Sequence, residues 1–323
     1  MLAVYAASQS TTDPLSGLVV GERPDPTPRD GWARVRLRTA GLNHHDVWSL
    51  RGVGLPAERL PMILGCDGAG VDDDGNDVII HAVVPSDGWQ GDETFDPKRT
   101  LLSELHDGTL AEYVSVPRHN LVPKPAGLGW EAAACLSTAW LTAYRMLFSN
   151  SGVKPGGTIL VQGAGGGVAT ALIQLGAAAG FRMWATSRDE AKAERARSIG
   201  AEEVFESGAR LPERVDAVME TVGAATWSHS INSLRPGGTV VISGATSGDA
   251  PRKAELTKIF FKQLRVVGST MGTRDELVHL TRFVAQQRIE PVIDTVLPLA
   301  DARDGFARMV EGDVFGKVVF TVS

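Results

Sequence analysis

From Val161 to Gly176 the chain reads VQGAGGGVATALIQLG, with Gly163, Gly165, Gly166 and Gly167 between a β-branched run and a helix of small residues. A glycine cluster in that setting makes a tight turn. It also brings backbone close to a ligand's phosphates and lets helix and sheet pack closely. The helix N-terminus adds unpaired N–H groups and a partial positive charge. The spacing departs from G-x-G-x-x-G. The best match is Gly163-x-x-Gly166-x-x-Ala169, with Ala169 as the small packing residue. A purely structural strand–helix turn is the alternative, and the flanking pattern disfavours it.

That flanking pattern is an alternation. Gly157–Val161, Phe181–Thr186, Val215–Met219, Thr239–Ser243 and Arg265–Ser269 are short apolar runs of strand length. Between them lie the helical segments Ala169–Gly180, Arg188–Ser198 and Thr226–Ser233, and Asp275–Gln286 follows. Such alternation indicates βαβ units and a doubly wound parallel sheet, an α/β fold. The first 120 or so residues differ. Ala33–Leu37, Asp77–Val84 and Leu110–Val116 read as strands, and the polar stretch Pro85–Asp107 reads as an excursion loop. Trp130–Ser149 reads as one long helix, and Gly316–Thr321 as a last strand.

The residues after the second strand of the alternation bear on the choice of dinucleotide. An acidic side chain there accepts from a ribose 2′-hydroxyl, and an arginine accommodates a 2′-phosphate. Ser187 and Arg188 stand at this point, with Lys192 one helical turn on. The guanidinium fork suits a phosphate, so NADP(H) is the expected cofactor. Ser187 also reads as a helix N-cap, with Asp189 and Glu190 in the first turn; both readings can hold together.

Composition narrows the partners. Lys plus Arg is 32 and Asp plus Glu 38, a net charge of −6, and no long basic run offers a nucleic-acid surface. No apolar run has the roughly 20 residues of a membrane span. The N-terminus lacks a signal-peptide pattern, so a cytoplasmic location is expected. Two cysteines, Cys66 and Cys135, exclude a disulfide scaffold and any four-thiolate cluster.

The ordered segments GLNHHDVWSLRG, LPMILGCDGAG, DGTLAEYVSVP, AAACLSTAWLTAYRML, VKPGGTILVQGAGGGVA, LRPGGTVVISG, VVGSTMGTR and GKVVF run through the whole chain. Together they resemble the medium-chain dehydrogenase/reductase superfamily, in particular its quinone-oxidoreductase and zinc-type alcohol dehydrogenase-like branches. The resemblance implies a GroES-like β-barrel catalytic domain over residues 1–125, completed by 289–323. A Rossmann domain is inserted at 126–288, with the active-site cleft between the two. It also implies cofactor contacts at Gly244, at Ser269, Thr270 and Met271, and at the Gly316–Lys317 motif. For Lys317 a surface position is the alternative.

Zinc members of that superfamily take metal ligands at three positions that here hold Asn43, Cys66 (in Gly65-Cys66-Asp67) and Thr138. Asn and Thr are poor zinc ligands. His44 and His45 are adjacent and on a strand would face opposite ways. No catalytic zinc is expected, and the 85–107 loop has no cysteines for a structural one. A zinc-free member would pass hydride from NADPH to a quinone or an α,β-unsaturated carbonyl, with a neutral donor at the developing oxyanion. Asn43 and His45 are the candidates, His45 standing where zinc relatives have a proton-relaying hydroxyl. A loop-stabilising amide and a polar cleft-edge residue are the alternatives. Trp48 and Trp140 match substrate-pocket positions, though tryptophan in an apolar stretch also reads as core. Asp46 is expected to be a structural hydrogen-bond acceptor. The competing functions are a zinc alcohol dehydrogenase with atypical ligands and a non-enzymatic NADPH-binding protein. Resemblance of Arg265–Ser269 to the family's dimer strand implies a homodimer.

Overall fold

A computed structural model describes Met1–Val322. Ser323, the last residue of the expected C-terminal segment, lies outside the described residues. The chain forms two compact units. One comprises Met1–Leu141 with the C-terminal segment from Met271, and the other Thr142–Thr270.

The first unit is built on a seven-stranded sheet around the long strand Trp32–Leu42. Residues 32–38 of this strand alternate between buried and exposed, as a sheet with one wet face requires. From Thr39 onward every residue is buried, because Asp67–Asp72 and Lys317–Thr321 flank that half on its two sides. The C-terminal strand therefore lies antiparallel beside Trp32–Leu42, with Val318 opposite Leu42. Phe306 of helix Ala302–Glu311 and Phe320 are both fully buried in the core of this unit. The expected single strand over 77–84 is two, Asp77–Ile80 and Val83–Val84. The break falls at buried His81, whose N–H donates to Asn120 O at 2.8 Å.

The second unit holds a six-stranded, all-parallel sheet. Numbered by appearance its strands lie in the order 3-2-1-4-5-6: Glu203–Glu206, Arg182–Ser187, Thr158–Val161, Val215–Glu220, Leu234–Ile242, Arg265–Gly268. This is the doubly wound dinucleotide-binding order, and its switch point lies between Thr158–Val161 and Val215–Glu220. All four residues of Thr158–Val161 are buried, as a strand covered on both faces demands.

The unit boundaries fall inside those expected from sequence. Residues 126–141 belong with the first unit: helix Trp130–Ala133 packs on its sheet, and Thr39 Oγ1 donates to Trp130 O at 2.8 Å. Helix Arg274–Gln287 joins it too, where the Arg274 guanidinium donates to His119 O and Leu121 O. The expected long helix over 130–149 is broken. Wide π-type turns occupy Leu136–Trp140 and Arg145–Asn150, and the unit boundary lies between them.

Candidate functional site

In the first unit the strand Trp32–Leu42 runs into helix His44–Leu50 through extended Asn43. His44 and His45 therefore start a helix rather than sitting on a strand; the two rings still diverge, about 100° apart around the axis. The fully buried Asp46 carboxylate accepts from Asn43 N–H at 2.9 Å and Gly65 N–H at 2.8 Å, the structural role expected of it. Burial pushes its carboxyl up, while His45, those two N–H donors and Lys317 pull it back.

Beside it is a buried triad. Lys317 Nζ donates to Asp67 Oδ2 at 2.7 Å, to Asn43 Oδ1 at 2.7 Å and to Leu42 O at 2.8 Å. Asn43 Nδ2 in turn donates to Asp67 Oδ2 at 2.9 Å and reaches Gly41 O at 3.4 Å. Two expectations are corrected here. Lys317 is 2% exposed, so the surface alternative does not hold, and its three ammonium protons are taken up by Leu42, Asn43 and Asp67 within this unit. Asn43 has both amide protons engaged, which makes it a brace and not a free oxyanion donor.

His45 is different. It is half-buried, and its Nε2 has no hydrogen-bond partner. Glu104 Oε1 lies 3.9 Å from that nitrogen. The other oxygen of Glu104 is held by Leu101 N–H at 3.2 Å and Thr100 Oγ1 at 3.4 Å. Two backbone features support this pairing. Ser103, fully buried, adopts φ +70°, a strained conformation for a non-glycine residue, just before Glu104. Gly54 has φ +83°, and a Cβ there would stand 3.2 Å from Glu104 Oε1 and 3.7 Å from His45 Cε1. Sequence reading missed Glu104, because it lies in the excursion loop with no motif around it.

The tryptophans divide. Trp48 is half-exposed, with the Arg51 guanidinium 5.2 Å from its ring centre. Trp140 is fully buried and its indole N–H has no partner, so it belongs to the interior rather than to an open pocket wall. His81 is also fully buried, and burial lowers its pKa; its Nε2 lies 3.0 Å from Gly272 O.

The positions that hold zinc ligands in relatives do not assemble a donor set. Cys66 is fully buried among Ala82, Val83 and Met271, its Sγ donates to Leu102 O at 3.2 Å, and burial drives its thiol well above the ordinary range. Cys135, whose thiol donates a hydrogen bond to Glu131 O at 3.2 Å, is pushed up to about 12 by burial. Asp67 is tied to an ammonium. Among the described residues, three His, Cys, Asp or Glu ligand atoms converge only at Asp72, Asp73 and Asp74, where Arg118 already pairs with two of them.

In the second unit the glycine turn leaves strand Thr158–Val161 at Gly163, with φ +81°, and opens helix Gly167–Ala178 with Gly166 as its N-cap. A Cβ built on Gly166 meets nothing within 4 Å, so open space lies over the turn. Gly165 and Gly167 are half-buried, and Ala169 is buried where the helix packs. These residues supply the turn, the clear approach and the helix N-terminus that a pyrophosphate needs. The N-cap of the next helix, Glu190–Ser198, is Asp189 and not Ser187. The Ser187 hydroxyl donates to Asp189 O at 2.7 Å, whereas the exposed Arg188 side chain makes no hydrogen bond or ion pair with the described residues. Lys192 N–H donates to Asp189 Oδ1, and its side chain is half-buried. Gly244 lies just past strand Leu234–Ile242, 3.0 Å from Thr221 O by its built Cβ. Ser269 Oγ accepts from Asn150 Nδ2 at 3.0 Å, and Thr270 is exposed. Met271 falls in the other unit, buried against Cys66.

The triad yields a stability prediction. Lys317→Met strands the buried Asp67 carboxylate and costs about 3–5 kcal/mol in urea denaturation. Adding Asp67→Asn recovers most of that loss. Equal stabilities for the two variants would contradict the pairing.

Known families match segments of both units. Residues 29–126 match the alcohol dehydrogenase GroES-like domain, and residues 167–286 the zinc-binding dehydrogenase model. A zinc-type alcohol dehydrogenase-like protein of Leptosphaeria maculans is 31% identical, covering 94% of each chain. An acryloyl-coenzyme A reductase of Sulfurisphaera tokodaii is 27% identical over 95% of this chain and 97% of its own. A solved structure of an NAD-dependent alcohol dehydrogenase superposes with a TM-score of 0.92 at 34% identity, covering 100% of both chains. With a GroES-like sheet in one unit and a 3-2-1-4-5-6 parallel sheet in the other, the chain belongs to the medium-chain dehydrogenase/reductase superfamily of oxidoreductases.

Proposed function

We propose that this oxidoreductase is an NADPH-dependent reductase of α,β-unsaturated carbonyl compounds, thioesters among them, that works without catalytic zinc. The observation that carries the reading is the donor set at the zinc positions. An amide braced by Lys317, a buried protonated thiol and a threonine hydroxyl stand there, whereas zinc takes three or four thiolate, imidazole or carboxylate ligands. With Lys317 already bound to Asp67, an added dication would meet an ammonium there. These residues do not fit the metal. The acryloyl-coenzyme A reductase relative favours a conjugated thioester over a quinone.

A bound reduced nicotinamide supplies hydride to the β-carbon of such a substrate. The protein's task is then the charge that appears on the carbonyl oxygen and the proton that the α-carbon needs. His45 is the candidate for both: its ring is half-buried, and its Nε2, buried and without a hydrogen-bond partner, faces Glu104 Oε1 at 3.9 Å. Asn43 and Asp46 hold the start of the His45 helix in place. Arg188, exposed and uncommitted, favours the 2′-phosphate of NADPH. A second reading, NADH-linked alcohol oxidation, has the name of the solved relative in its favour and the local use of the Ser187 hydroxyl.

The outer strand Arg265–Gly268 ends the parallel sheet with an unpaired edge. Val266 is 45% exposed, and nearby Phe260 and Phe261 are 61% and 76% exposed. An open apolar edge of this kind suits pairing with a second copy.

Three outcomes are expected. In a screen of enones, enoyl thioesters, quinones, aldehydes and alcohols with both cofactors, NADPH with an enone or enoyl thioester gives the highest kcat/KM, unchanged by a zinc chelator. A zinc-requiring alcohol activity with NADH would replace this reading by the second. His45→Ala lowers kcat by about 10²–10⁴ while the NADPH Kd stays within about twofold; an undiminished kcat removes His45 from the chemistry. Sedimentation gives a dimer, and Val266→Asp with Phe261→Asp gives a monomer; a wild-type monomer refutes the pairing.

A further inference from the structure

One chain of buried hydrogen bonds in the second unit touches every strand end at the switch point of the parallel sheet. It starts at the first glycine of the turn. Gly163 N–H donates to Thr186 Oγ1 at 3.0 Å, and the Thr186 hydroxyl donates to Gln162 Oε1 at 3.0 Å. Gln162 Nε2 then donates to His229 Nδ1 at 2.9 Å and to Ser230 Oγ at 3.0 Å. The Ser230 hydroxyl donates to Glu220 Oε2. Glu220 receives donors only: Ser230, the Thr226 hydroxyl at 2.9 Å, Val222 N–H at 2.8 Å and Gly223 N–H at 2.9 Å. Gln162, Thr186, Glu220 and Ser230 are all buried, at 0–1% exposure.

The polarity of this chain has a direction. A carboxylate that can only accept fixes the Ser230 proton toward itself, which leaves Ser230 Oγ to accept from Gln162. His229 donates from Nε2 to Ala209 O at 2.9 Å, so its Nδ1 must accept, and this takes the other amide proton of Gln162. The Gln162 carbonyl is thereby turned to Thr186, and the Thr186 oxygen is left to accept from Gly163. One orientation is allowed at every step. The same carboxylate clamps the turn at 221–226. That turn is tied to the next strand end by Ser247 N–H to Val222 O at 2.7 Å and Ala224 N–H to Gly248 O at 2.8 Å. A Cβ on Gly163 would stand 3.7 Å from Val222 Cγ2, so the first and fourth strand ends meet at the glycine turn.

We propose that Glu220, acting through Ser230, Gln162 and Thr186, is a positioning residue that sets the Gly163 turn in the shape the dinucleotide binds. The inference rests on the glycine turn being the cofactor site. The carboxylate itself touches no cofactor. It orients one backbone N–H and two adjacent turns before the ligand arrives, which lowers the ordering cost of binding. Buried networks of this kind are cooperative, so breaking one link disturbs the others.

The test compares two substitutions at Thr186 with one at Glu220, reading the NADPH Kd by fluorescence titration without substrate and the exchange rate of the Gly163 amide without any ligand. Thr186→Val keeps the shape and loses the hydroxyl; Thr186→Ser keeps the hydroxyl and loses a methyl. The relay requires Val to raise Kd at least about fivefold and to release the Gly163 amide, with Ser within about twofold of wild type. Glu220→Gln, which puts an amide NH2 among four donors, raises Kd similarly. Its combination with Thr186→Val is no weaker than the worse single variant, because both cut one chain. A harmless Val beside a costly Ser would mean packing alone and overturn the proposal, as would a Gly163 amide that exchanges freely in the wild type. Should Thr186→Val not fold, Glu220→Gln and Thr186→Ser decide by the same two readouts. If the wild type binds no dinucleotide, the cofactor reading falls, and the amide exchange of Gly163 across the variants still decides the relay.

Discussion

The arrangement around His45 depends on one buried ammonium. Lys317 begins the C-terminal strand, and its three protons reach the end of strand Trp32–Leu42, the Asn43 side chain and the Asp67 carboxylate. A charge held at 2% exposure is tolerable only with such partners, so the C-terminal strand, the loop into the His45 helix and the strand from Asp67 are locked to one another. The last strand of the chain thus helps to place residues near its beginning. With that lock in place, the Asn43 amide and the Asp46 carboxylate are used up on structure. His45 Nε2, by contrast, has no hydrogen-bond partner among the described residues.

The second unit reaches a similar end by other means. Its parallel sheet needs no buried ion pair to align the strands, since the 3-2-1-4-5-6 order already brings the first, second and fourth strand ends together. What those ends require is agreement among their turns. The donors converging on Glu220, and the amide of Gln162 between two acceptors and a hydroxyl, provide it. Both units therefore place a carboxylate at the junction of several elements, Asp67 in one and Glu220 in the other.

Much of the second unit was legible in the residue pattern. The runs at 157–161, 181–186, 239–243 and 265–269 became parallel strands, because buried strands leave continuous apolar runs. The glycine turn was legible for the same reason, since its residue types are needed locally. Strand Glu203–Glu206 and helix Leu256–Phe261 were not, being short, polar or flanked by loop residues. The 130–149 segment misled. Its apolar spacing suits a helix, but two π-type turns and a unit boundary interrupt it, and spacing alone does not register where neighbours pull a helix open. Of the site, Arg188 and His45 were visible from position, while Glu104, Thr186 and Glu220 carried no motif and Gln162, inside the glycine segment, had no role that the pattern could show. Lys317 and Trp140 were visible but misassigned, because the same residue type serves a surface, a core or a ligand.

By itself the sequence determined the sheet class of each half, the glycine turn between strand and helix and the poor metal donors Asn43 and Thr138. Each of these is a property of local pattern or of which atoms a side chain carries. Only the tertiary structure decided that Lys317 is buried on Asp67 and Asn43, that Glu104 faces His45 Nε2, and that Glu220 reaches Gly163 through three side chains. Those are relations between residues far apart in the chain. Their hydrogen bonds exist because strands distant in sequence are neighbours in a sheet, and no periodicity along the chain records that.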